Sequence, residues 1–387
     1  MKSVIYLDNQ STTKTDPEVV KDMLPYFDEH YGNSESNYHL IGRKARDAVI
    51  DSRSTIAKSI KAKSKEIIFT SGSTESINLA IRGAIAKSTL KKKHIITQVT
   101  EHKSVLDTLK SLNINQLDIT YLPVDRHGSI DPKQVEKEII PETVLVIVMH
   151  ANNEIGTIQP IEEIGTICKE KKVFFLVDAS QSYGKLPIDI NILNIDLLAA
   201  TAHKIYGPKG IGFLFIRSKH PKVEIDAIIT GGGHERGLRS GTLAVPLIVG
   251  FAKAISLALV NMKSESQRLK LLQEKIIFKV KKAHPDSILN GSKNFRLYNN
   301  INFSFPGLDA ETLISKMKLI ACSTGSACSS TKLEPSHVIK ALGHSDELAH
   351  SSVRFSLGKY NSEFEIDYAI KEIIKAVQNM KNKLPRL

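Results

Sequence analysis

An α/β fold built around a mostly parallel sheet is the fold class that this sequence predicts. Seven short segments rich in aliphatic and aromatic residues are candidate strands. Most of them are continuous apolar runs rather than alternating ones, which is typical of strands buried on both faces. Segments with helical patterns separate them, as the crossovers between parallel strands require. The rest of the chain has a different order of elements and predicts a smaller α+β domain.

Candidate strands and helices alternate along the first part of the chain. Asp16-Pro17 predicts the start of an early helix, because aspartate caps helix N-termini and proline fits the first helical position. The strands are expected at residues 66–70, 94–98, 119–124, 144–150, 173–178, 197–201 and 212–216. The crossover helices are expected at residues 74–86, 103–112, 133–138 and 161–170.

The pattern changes after Gly250. The elements expected there are a long helix over about residues 246–282, strands near 288 and at 300–304, and helices at 310–317, 335–342 and 364–381. The last of these helices is amphipathic, with apolar residues at helical spacing. We therefore expect two domains. The large one, residues 15–255, contains the seven-stranded sheet, and the small one comprises residues 1–14 and 256–387.

The composition limits the class of protein. Of 387 residues, 41% are hydrophobic and 24% are charged, which allows a substantial core and argues against global disorder. No apolar stretch is expected to approach the roughly 20 residues of a membrane-spanning helix. The N-terminus reaches Asp8 after a short apolar run, unlike a signal or transit peptide. We expect a cytoplasmic protein without membrane contact.

The cysteines point to the same compartment. Three cysteines are too few for a disulfide framework and fit a reducing environment. The sequence has no four-ligand zinc spacing, so no metal site is expected. Cys168 is expected in the core of a helix, and Cys322 is expected to be buried beside Leu319-Ile320.

The chain is basic, with a formal net charge of +12. Lysines cluster at residues 91–93, 169–172 and 279–282, with no RNA-recognition or helix-turn-helix signature nearby. One interpretation is a lysine-rich solvated surface, and the other is attraction to an acidic protein or to RNA. Direct nucleic-acid binding is not expected.

A lysine and an aspartate at the ends of two apolar runs point to a cofactor. Lys204 follows the run at residues 197–200, between His203 and a Gly/Pro-rich turn, and Asp178 ends the run at 173–177. Pyridoxal 5'-phosphate (PLP) needs a lysine for its Schiff base and an acidic partner that keeps its pyridine nitrogen protonated. An ionised aspartate in an apolar setting needs such a cation, although a helix N-cap is the alternative role. The pair predicts a PLP site.

Two further strand ends offer residues for that site. Ser73 and Thr74 would open a helix after Gly72, so their hydroxyl and N–H groups could bind a phosphate or simply cap the helix. His102 could stack on a planar ring and exchange protons near neutral pH, but a lone histidine is often structural.

The next two strand ends carry amides. Asn153 lies in a loop after a strand, where α/β sheets bind ligands. An asparagine there could bond the ring hydroxyl of PLP, or belong to an Asn-rich turn. Gln181 could reach the same ring oxygen.

Three candidate features lie outside the strand ends. The glycine-dense segment 231–242, with two arginines and Thr242, predicts a loop that contacts an anion or a second subunit. Residues 321–332 are mostly small and predict an exposed loop, on which Cys328 could act as a nucleophile once its thiol is activated. Arg354, in a β-like run, suits bidentate capture of a substrate carboxylate, or an internal salt bridge.

Together these motifs resemble one family over nearly the whole chain: the cysteine desulfurases of the NifS/IscS type, which are class V aminotransferases of PLP fold type I. The resemblance is carried by residues 6–9, 12–13, 70–76, 100–102, 150–159, 177–181, 203–204, 231–242, 325–328 and 354–358. Gln10-Ser11 is a departure, since the family often has a small residue before Thr12-Thr13.

The resemblance implies a role for each candidate. Lys204 would hold PLP, His102 would stack on its ring, Asp178 would pair with its nitrogen and Gln181 would contact its oxygen. Asn153 and Arg354 would bind the substrate carboxylate. The phosphate would be bound by Ser73, Thr74, Thr201, His203 and, from the partner subunit of a homodimer, Thr242.

The resemblance also implies the reaction. L-cysteine would lose its sulfur to Cys328, which becomes a persulfide as L-alanine is released, with proton transfers by Lys204 and His102. The sulfur would pass to an acceptor, such as an iron–sulfur scaffold or a protein of tRNA or cofactor thiolation. The alternatives are a selenocysteine lyase, another class V PLP aminotransferase, or a non-catalytic sulfur-relay protein. A transaminase needs no thiol on the loop, so Cys328 favours the desulfurase.

Overall fold

A seven-stranded sheet forms the centre of the protein. The structure is a computed structural model, and it describes residues 4–112, 114–324 and 334–383. Its strands are β1 (Ile5–Tyr6), β2 (Ile67–Thr70), β3 (Lys93–Gln98), β4 (Leu117–Leu122), β5 (Thr143–Met149), β6 (Phe174–Asp178), β7 (Leu197–Thr201), β8 (Gly212–Ile216), β9 (Ile288–Leu289), β10 (Asn300–Ser304), β11 (Ile320–Ala321), β12 (Ser323–Thr324) and β13 (Ser352–Ser356). The central sheet has the order β2-β8-β7-β6-β5-β3-β4.

The central sheet is mostly parallel, as the sequence predicts. Strand β8 alone runs antiparallel to its neighbours β2 and β7, and the other pairs are parallel. All residues of β5, β7 and β8 are buried, which explains why they read as continuous apolar runs. Because β3, β5, β6 and β7 are parallel, their carboxyl ends meet at one edge of the sheet. Ligands of open α/β sheets bind at this edge.

Helices cover both the sheet and the smaller part of the protein. They are α1 (Pro17–Met23), α2 (Pro25–Asp28), α3 (Leu40–Ser59), α4 (Ser73–Lys87), α5 (Lys103–Lys110), α6 (Pro132–Glu138), α7 (Ile161–Lys171), α8 (Val245–Ala283), α9 (Ala310–Lys316), α10 (His337–Ala341), α11 (Asp346–His350) and α12 (Glu363–Lys381). Helix α1 begins as predicted, with Asp16 as N-cap and proline in the first turn.

Helix α3 was not predicted from the sequence. Its buried face includes Gly42, Ala45, Ser52 and Ala57, and large aliphatic residues on that face are few. Small residues allow the helix to approach α8 closely, but together with the many polar residues they make the segment hydrophilic on average. A pattern search based on large apolar residues therefore passes over this helix.

Helix α8 corrects one expectation. It is long and apolar enough to cross a membrane by length and composition, whereas no such stretch was expected. It packs against α1 and α3 within the protein, and residues such as Phe251 and Ile255 lie in the core beside the sheet. Internal packing therefore accounts for part of the apolar character of α8, since less than half of its most apolar window is buried.

The two halves of this helix pack into different apolar cores. Ile248, Phe251 and Ile255 join the core next to the central sheet, whereas Leu272 and Ile276 join a second core with α12. The second core also contains the antiparallel sheet β12-β13-β10-β9 and the parallel pair β1-β11. Helix α8 runs without a break through residue 255, where the sequence had suggested a domain boundary.

The N-terminal segment connects the two cores. Ile5 and Leu7 are buried in the second core. The chain then leaves β1, and Asp8 pairs with Ser356 in an isolated bridge. Residues 10–13 reach the end of β7. This path brings backbone carbonyls from the start of the chain to the sheet edge.

Candidate active site

Lys204 lies at the carboxyl edge of the sheet, in a short 3-10 helix directly after β7. Its Nζ donates to the backbone carbonyls of Gln10 and Ser11, each at 2.6 Å. Thr13 holds the adjacent residue, because its backbone N–H and its hydroxyl both donate to the His203 carbonyl, at 3.0 and 2.8 Å. The lysine is therefore held between the sheet and the N-terminal segment.

Asp178 ends the next strand, β6, and is 2% exposed. Its Oδ1 accepts from the Ser180 backbone N–H at 2.9 Å and from the Ser180 hydroxyl. The Ser180 hydroxyl also lies 2.7 Å from Ser73 Oγ. No helix begins at Asp178, so the N-cap alternative is wrong. The carboxylate is instead fixed by a turn and linked to the start of α4.

The start of α4 forms a cradle for an anion. Gly72 is the N-cap and gives no side-chain cap, so Ser73 and Thr74 are the first helical residues rather than caps. A Cβ on Gly72 would meet only Thr201 Oγ1, at 3.8 Å, so the space before the helix is open. Unpaired N–H groups and the helix dipole favour negative charge there.

His203 follows Thr201, whose hydroxyl faces this cradle, by two residues. Its Nδ1 lies 3.1 Å from Thr12 Oγ1. Burial, reinforced by the charge of Lys204, lowers the pKa of His203 to about 4. The imidazole is therefore neutral at physiological pH.

His102 caps helix α5 with its own side chain. Its Nδ1 accepts from the Ser104 backbone N–H at 3.0 Å, so this nitrogen carries no proton and the proton of the neutral ring is on Nε2. Burial lowers the pKa of His102, although Asp178 opposes the shift. The neutral form with a proton on Nε2 suits both ring stacking and proton transfer.

Gln181 is buried in the turn that follows Asp178. Its Nε2 donates to the Gln10 carbonyl at 3.0 Å, and its Oε1 has no hydrogen-bond partner among the described residues. A buried amide oxygen without a donor is costly. A hydroxyl on a bound ring would satisfy it.

Arg354, on β13, is 3% exposed and already paired. Its Nη2 lies 2.9 Å from Asp8 Oδ1, and Nη1 donates to the Asn153 carbonyl at 2.7 Å. Ser11 and Ser323 accept further bonds from Nη2. The internal salt bridge left open by the sequence is therefore present. Asn153 meets Arg354 through its backbone, beside the N-terminal segment.

The glycine-dense loop is fastened to the large sheet. Glu235 accepts from both terminal nitrogens of Arg53, at 2.5 and 2.7 Å, and from the Phe69 backbone N–H at 2.7 Å. Arg239 pairs with Glu75 on α4 at 2.7 Å. The anion that Arg239 contacts is therefore a carboxylate of the same chain. Thr242 is exposed at the end of this loop.

Two of the three cysteines can be placed. Cys328 lies outside the described residues, as do residues 325–332 of the predicted exposed loop. Cys168 is buried on α7, as predicted. Cys322 is partly buried, and burial raises the pKa of its thiol to about 12. Neither described cysteine is suited to forming a thiolate at neutral pH.

Glu101 belongs to the family motif at residues 100–102, but the sequence assigned it no role, and it is fully buried between the strand ends. Its Oε1 accepts from Gln98 Nε2 at 2.8 Å and from the Met149 backbone N–H at 2.5 Å. Burial raises its pKa to about 8, and the charge of Asp178 adds to the shift. Its carboxyl is therefore neutral at physiological pH. Its position next to His102 was the only signal in the sequence.

Sequence reasoning also gave no role to Asp8 and named Gln10 only as a departure from the family. Their contacts join positions far apart in the chain, so no local pattern indicates them.

Among the described residues, no group of His, Cys, Asp and Glu side chains could hold a metal ion.

Known proteins resemble this chain in sequence and in fold. The family of class-V aminotransferases matches residues 5–369. The chain is 48% identical over 384 residues to a probable mitochondrial cysteine desulfurase of Dictyostelium discoideum. The matched region covers 99% of this chain and 85% of that protein. The chain belongs to the cysteine desulfurases of the class-V aminotransferase family.

Further comparisons agree. The cysteine desulfurase IscS of Rickettsia conorii is 47% identical over 381 residues, or 98% of this chain and 93% of that protein. The solved structure of SspA in complex with cysteine has a TM-score of 0.82 and 37% identity, covering 92% of this chain and all of that one. The predicted fold, PLP fold type I, is confirmed. The homologues include bacterial enzymes and a mitochondrial one.

Cysteine desulfurases of this family depend on PLP, as the sequence predicted. The residues present fit this cofactor. The open cradle before α4 suits a phosphate, and the unsatisfied oxygen of Gln181 suits a ring hydroxyl. Asp178, buried without a cationic partner among the described residues, suits a protonated ring nitrogen.

Proposed function

We propose that this chain removes sulfur from L-cysteine, releases L-alanine and carries the sulfur as a persulfide on Cys328. The observation that supports this best is the meeting of Lys204, Asp178 and His102 with the anion cradle of α4 at one sheet edge, in a chain 48% identical to a cysteine desulfurase. When bound, PLP supplies an electron sink for the amino acid.

The residues of this chain divide the work of holding the cofactor. Lys204 holds it covalently, and its amine needs to be neutral to do so. The phosphate is held by Ser73, Thr74, Thr201 and His203. Asp178 keeps the ring nitrogen protonated, His102 lies against the ring and Gln181 bonds its oxygen.

Substrate binding falls to Arg354 and Asn153. The Arg354 guanidinium is buried and held by Asp8, which fixes its direction. Its Nε has no hydrogen-bond partner among the described residues, so a donor remains for the substrate carboxylate. Asn153 adjoins it through the backbone contact and supplies an amide.

Proton and sulfur transfer use three groups. Lys204 and His102 move protons on the substrate carbon, His102 through its Nε2. The Cys328 thiolate attacks the substrate sulfur, a sulfur–sulfur bond forms, the carbon–sulfur bond breaks, and its electron pair stays with the carbon, which is then protonated. Ser323 of β12 pairs with Arg354 of β13, so the segment leading to Cys328 begins beside the substrate arginine.

We also propose a homodimer in which Thr242 binds the phosphate of the partner subunit's cofactor. The exposed position of Thr242, on a loop pinned to α4 by the Arg239–Glu75 pair, supports this. The division into domains of residues 15–255 and of 1–14 with 256–387 is part of the proposal, supported by the two apolar cores.

The acceptor of the sulfur is proposed to be a protein of iron–sulfur assembly or of thiolation, in the cytoplasm. The net charge of +12 is compatible with an acidic acceptor. The kinship with cysteine desulfurases named IscS supports iron–sulfur assembly.

One experiment tests the proposed reaction. The holoenzyme is incubated with L-cysteine and a reductant, and alanine and sulfide are measured. Equal amounts of the two products are expected. Alanine without sulfide, or pyruvate in place of alanine, would overturn the proposal.

A further inference from the structure

Lys185 is a buried lysine with no part in the function proposed above. It lies in the turn region after β6 and is 9% exposed. Its Nζ donates to the backbone carbonyl of Gln181 at 2.9 Å. Gly184 before it has a φ of 70°, and a Cβ there would meet Ile205 at 2.9 Å. The turn is therefore pressed against the segment that follows Lys204.

A short series of hydrogen bonds connects Lys185 to Lys204. The link begins at the Gln181 carbonyl, which accepts from Lys185. The Gln181 side chain donates to the Gln10 carbonyl at 3.0 Å, and the same carbonyl accepts from Lys204 Nζ at 2.6 Å. Gln181 therefore connects the two ammonium groups: it accepts from Lys185 and shares the Gln10 carbonyl with Lys204.

Both lysines also line one cavity of about 60 Å³. The carboxylates that line it have other partners: Asp16 pairs with Lys359, and Glu265 pairs with Arg268. Among the described residues, no carboxylate forms an ion pair with Lys185. The remaining titratable groups around this region are Lys204, Tyr206, Tyr298 and the nearby His203.

The two ammonium groups oppose each other's charge. Burial lowers the pKa of Lys185 to about 7, and the charge of Lys204 adds to the shift. Repulsion between like charges is reciprocal, so a charged Lys185 also disfavours a proton on Lys204. A neighbouring cation is a known way to keep a lysine amine neutral and nucleophilic.

We propose that Lys185 is a positioning residue, which anchors Gln181 beside the cofactor and, in its protonated form, opposes protonation of the Lys204 nitrogen. This inference rests on the proposed covalent attachment of PLP to Lys204. It concerns a residue that touches neither cofactor nor substrate and acts through its charge and through Gln181.

The test is a pH titration of the visible absorption of the holoenzyme, which follows the protonation of the nitrogen linking Lys204 to PLP and needs no turnover. Lys185→Met removes the charge and the donor. Lys185→Gln removes only the charge, since its amide can donate, and Lys185→Arg keeps a cation. Lys209→Met is the matched control, because Lys209 is an exposed lysine of the same segment.

The expected order of the titration midpoints follows from the charge at position 185. The titration midpoint should rise by about 1 pH unit in Lys185→Met and Lys185→Gln, and it should not rise in Lys185→Arg. Lys209→Met should move it much less, because solvent screens an exposed charge.

Two results would overturn the inference. One is a titration midpoint that stays at the wild-type value in both Lys185→Met and Lys185→Gln, in a protein whose Lys204 is covalently linked to PLP. The other is a shift in Lys209→Met as large as in Lys185→Met. Wild type without a covalent link at Lys204 would overturn the proposed function first, and the inference with it.

Discussion

Arg354 and Asp8 form an ion pair in which Nη2 lies 2.9 Å from Oδ1, between positions separated by 346 residues. The same guanidinium donates to the Asn153 carbonyl. It therefore joins β13, the N-terminal segment and the loop after β5. A residue expected to bind the substrate is thus also a structural link, and changing it affects both properties.

The first prediction separates these two properties. Arg354→Lys should raise the KM for L-cysteine about tenfold or more, with a smaller effect on kcat, because lysine lacks the Nε–H group that remains for the substrate carboxylate in Arg354. Steady-state kinetics and a thermal melt measure the two effects. Arg43→Lys, at an exposed arginine of α3, is the control and should change neither. An unchanged KM in Arg354→Lys would remove this residue from substrate binding.

The second prediction concerns the cysteines. Cys328→Ser should keep bound PLP and lose persulfide and sulfide formation, because the hydroxyl cannot accept the sulfur. Cys322→Ser should keep the activity, since the Cys322 thiol is partly buried with a pKa of about 12. Persulfide labelling followed by mass spectrometry identifies the modified residue. Full sulfide release by Cys328→Ser would exclude it as the nucleophile.

The third prediction tests the charge of Asp178. Asp178→Asn should lower kcat by roughly 100-fold or more, because a neutral amide does not stabilise a protonated ring nitrogen. Ser180→Ala is the matched control. It removes a hydroxyl bonded to Asp178 but leaves the carboxylate, so its loss should be much smaller. Comparable losses in the two variants would mean that the turn, and not the charge, is what matters.

The fourth prediction uses the raised pKa of Glu101, about 8 in the folded protein against an ordinary value of 4.5. A raised carboxyl pKa favours folding at low pH, and this contribution is lost as the pH rises from about 4.5 to 8. Glu101→Gln should therefore gain stability relative to wild type as the pH rises, by more than about 1 kcal/mol.

Denaturant unfolding at pH values below and above this range measures the difference for Glu101→Gln. The glutamine can still accept from the Met149 N–H, so the fold should survive. A constant difference between variant and wild type at all pH values would show that Glu101 does not titrate in this range.

The fifth prediction concerns the dimer. Lys204→Ala and Thr242→Ala should each lose most activity as homodimers. A mixed dimer should regain one working site, in which the Thr242→Ala subunit supplies Lys204 and its partner supplies Thr242. Light scattering gives the mass, and activity after co-expression gives the rescue. A monomer in solution, or no rescue, would contradict a shared site.

The strands show what local sequence determines. The segments at residues 197–201, 212–216 and 300–304 begin and end where the sequence predicted. The segments 197–201 and 212–216 are mostly apolar and are buried along their whole length, so the composition of each segment already indicated its burial. The edge strand β4 lies two positions earlier than expected, at Leu117–Leu122. Pairing with β3, where Lys93 is opposite Leu117, sets its register.

Residues that follow buried strands were identified from sequence for the same reason. Lys204, Asp178 and His102 each follow a run that predicts a strand, and parallel strands bring their carboxyl ends to one edge. The sequence therefore indicated that these three residues share one site, and the resemblance to a known family assigned their roles. The family and its cofactor were predicted from the sequence alone.

Only the tertiary structure decided how these residues are held. The Gln10 carbonyl beneath Lys204 and the Asp8 carboxylate beside Arg354 come from the N-terminal segment. The neutral Glu101 and the buried Lys185 depend on how deeply each side chain is buried. Contacts between distant positions and the loss of solvent around a charge arise from packing, so no local pattern in the chain encodes them.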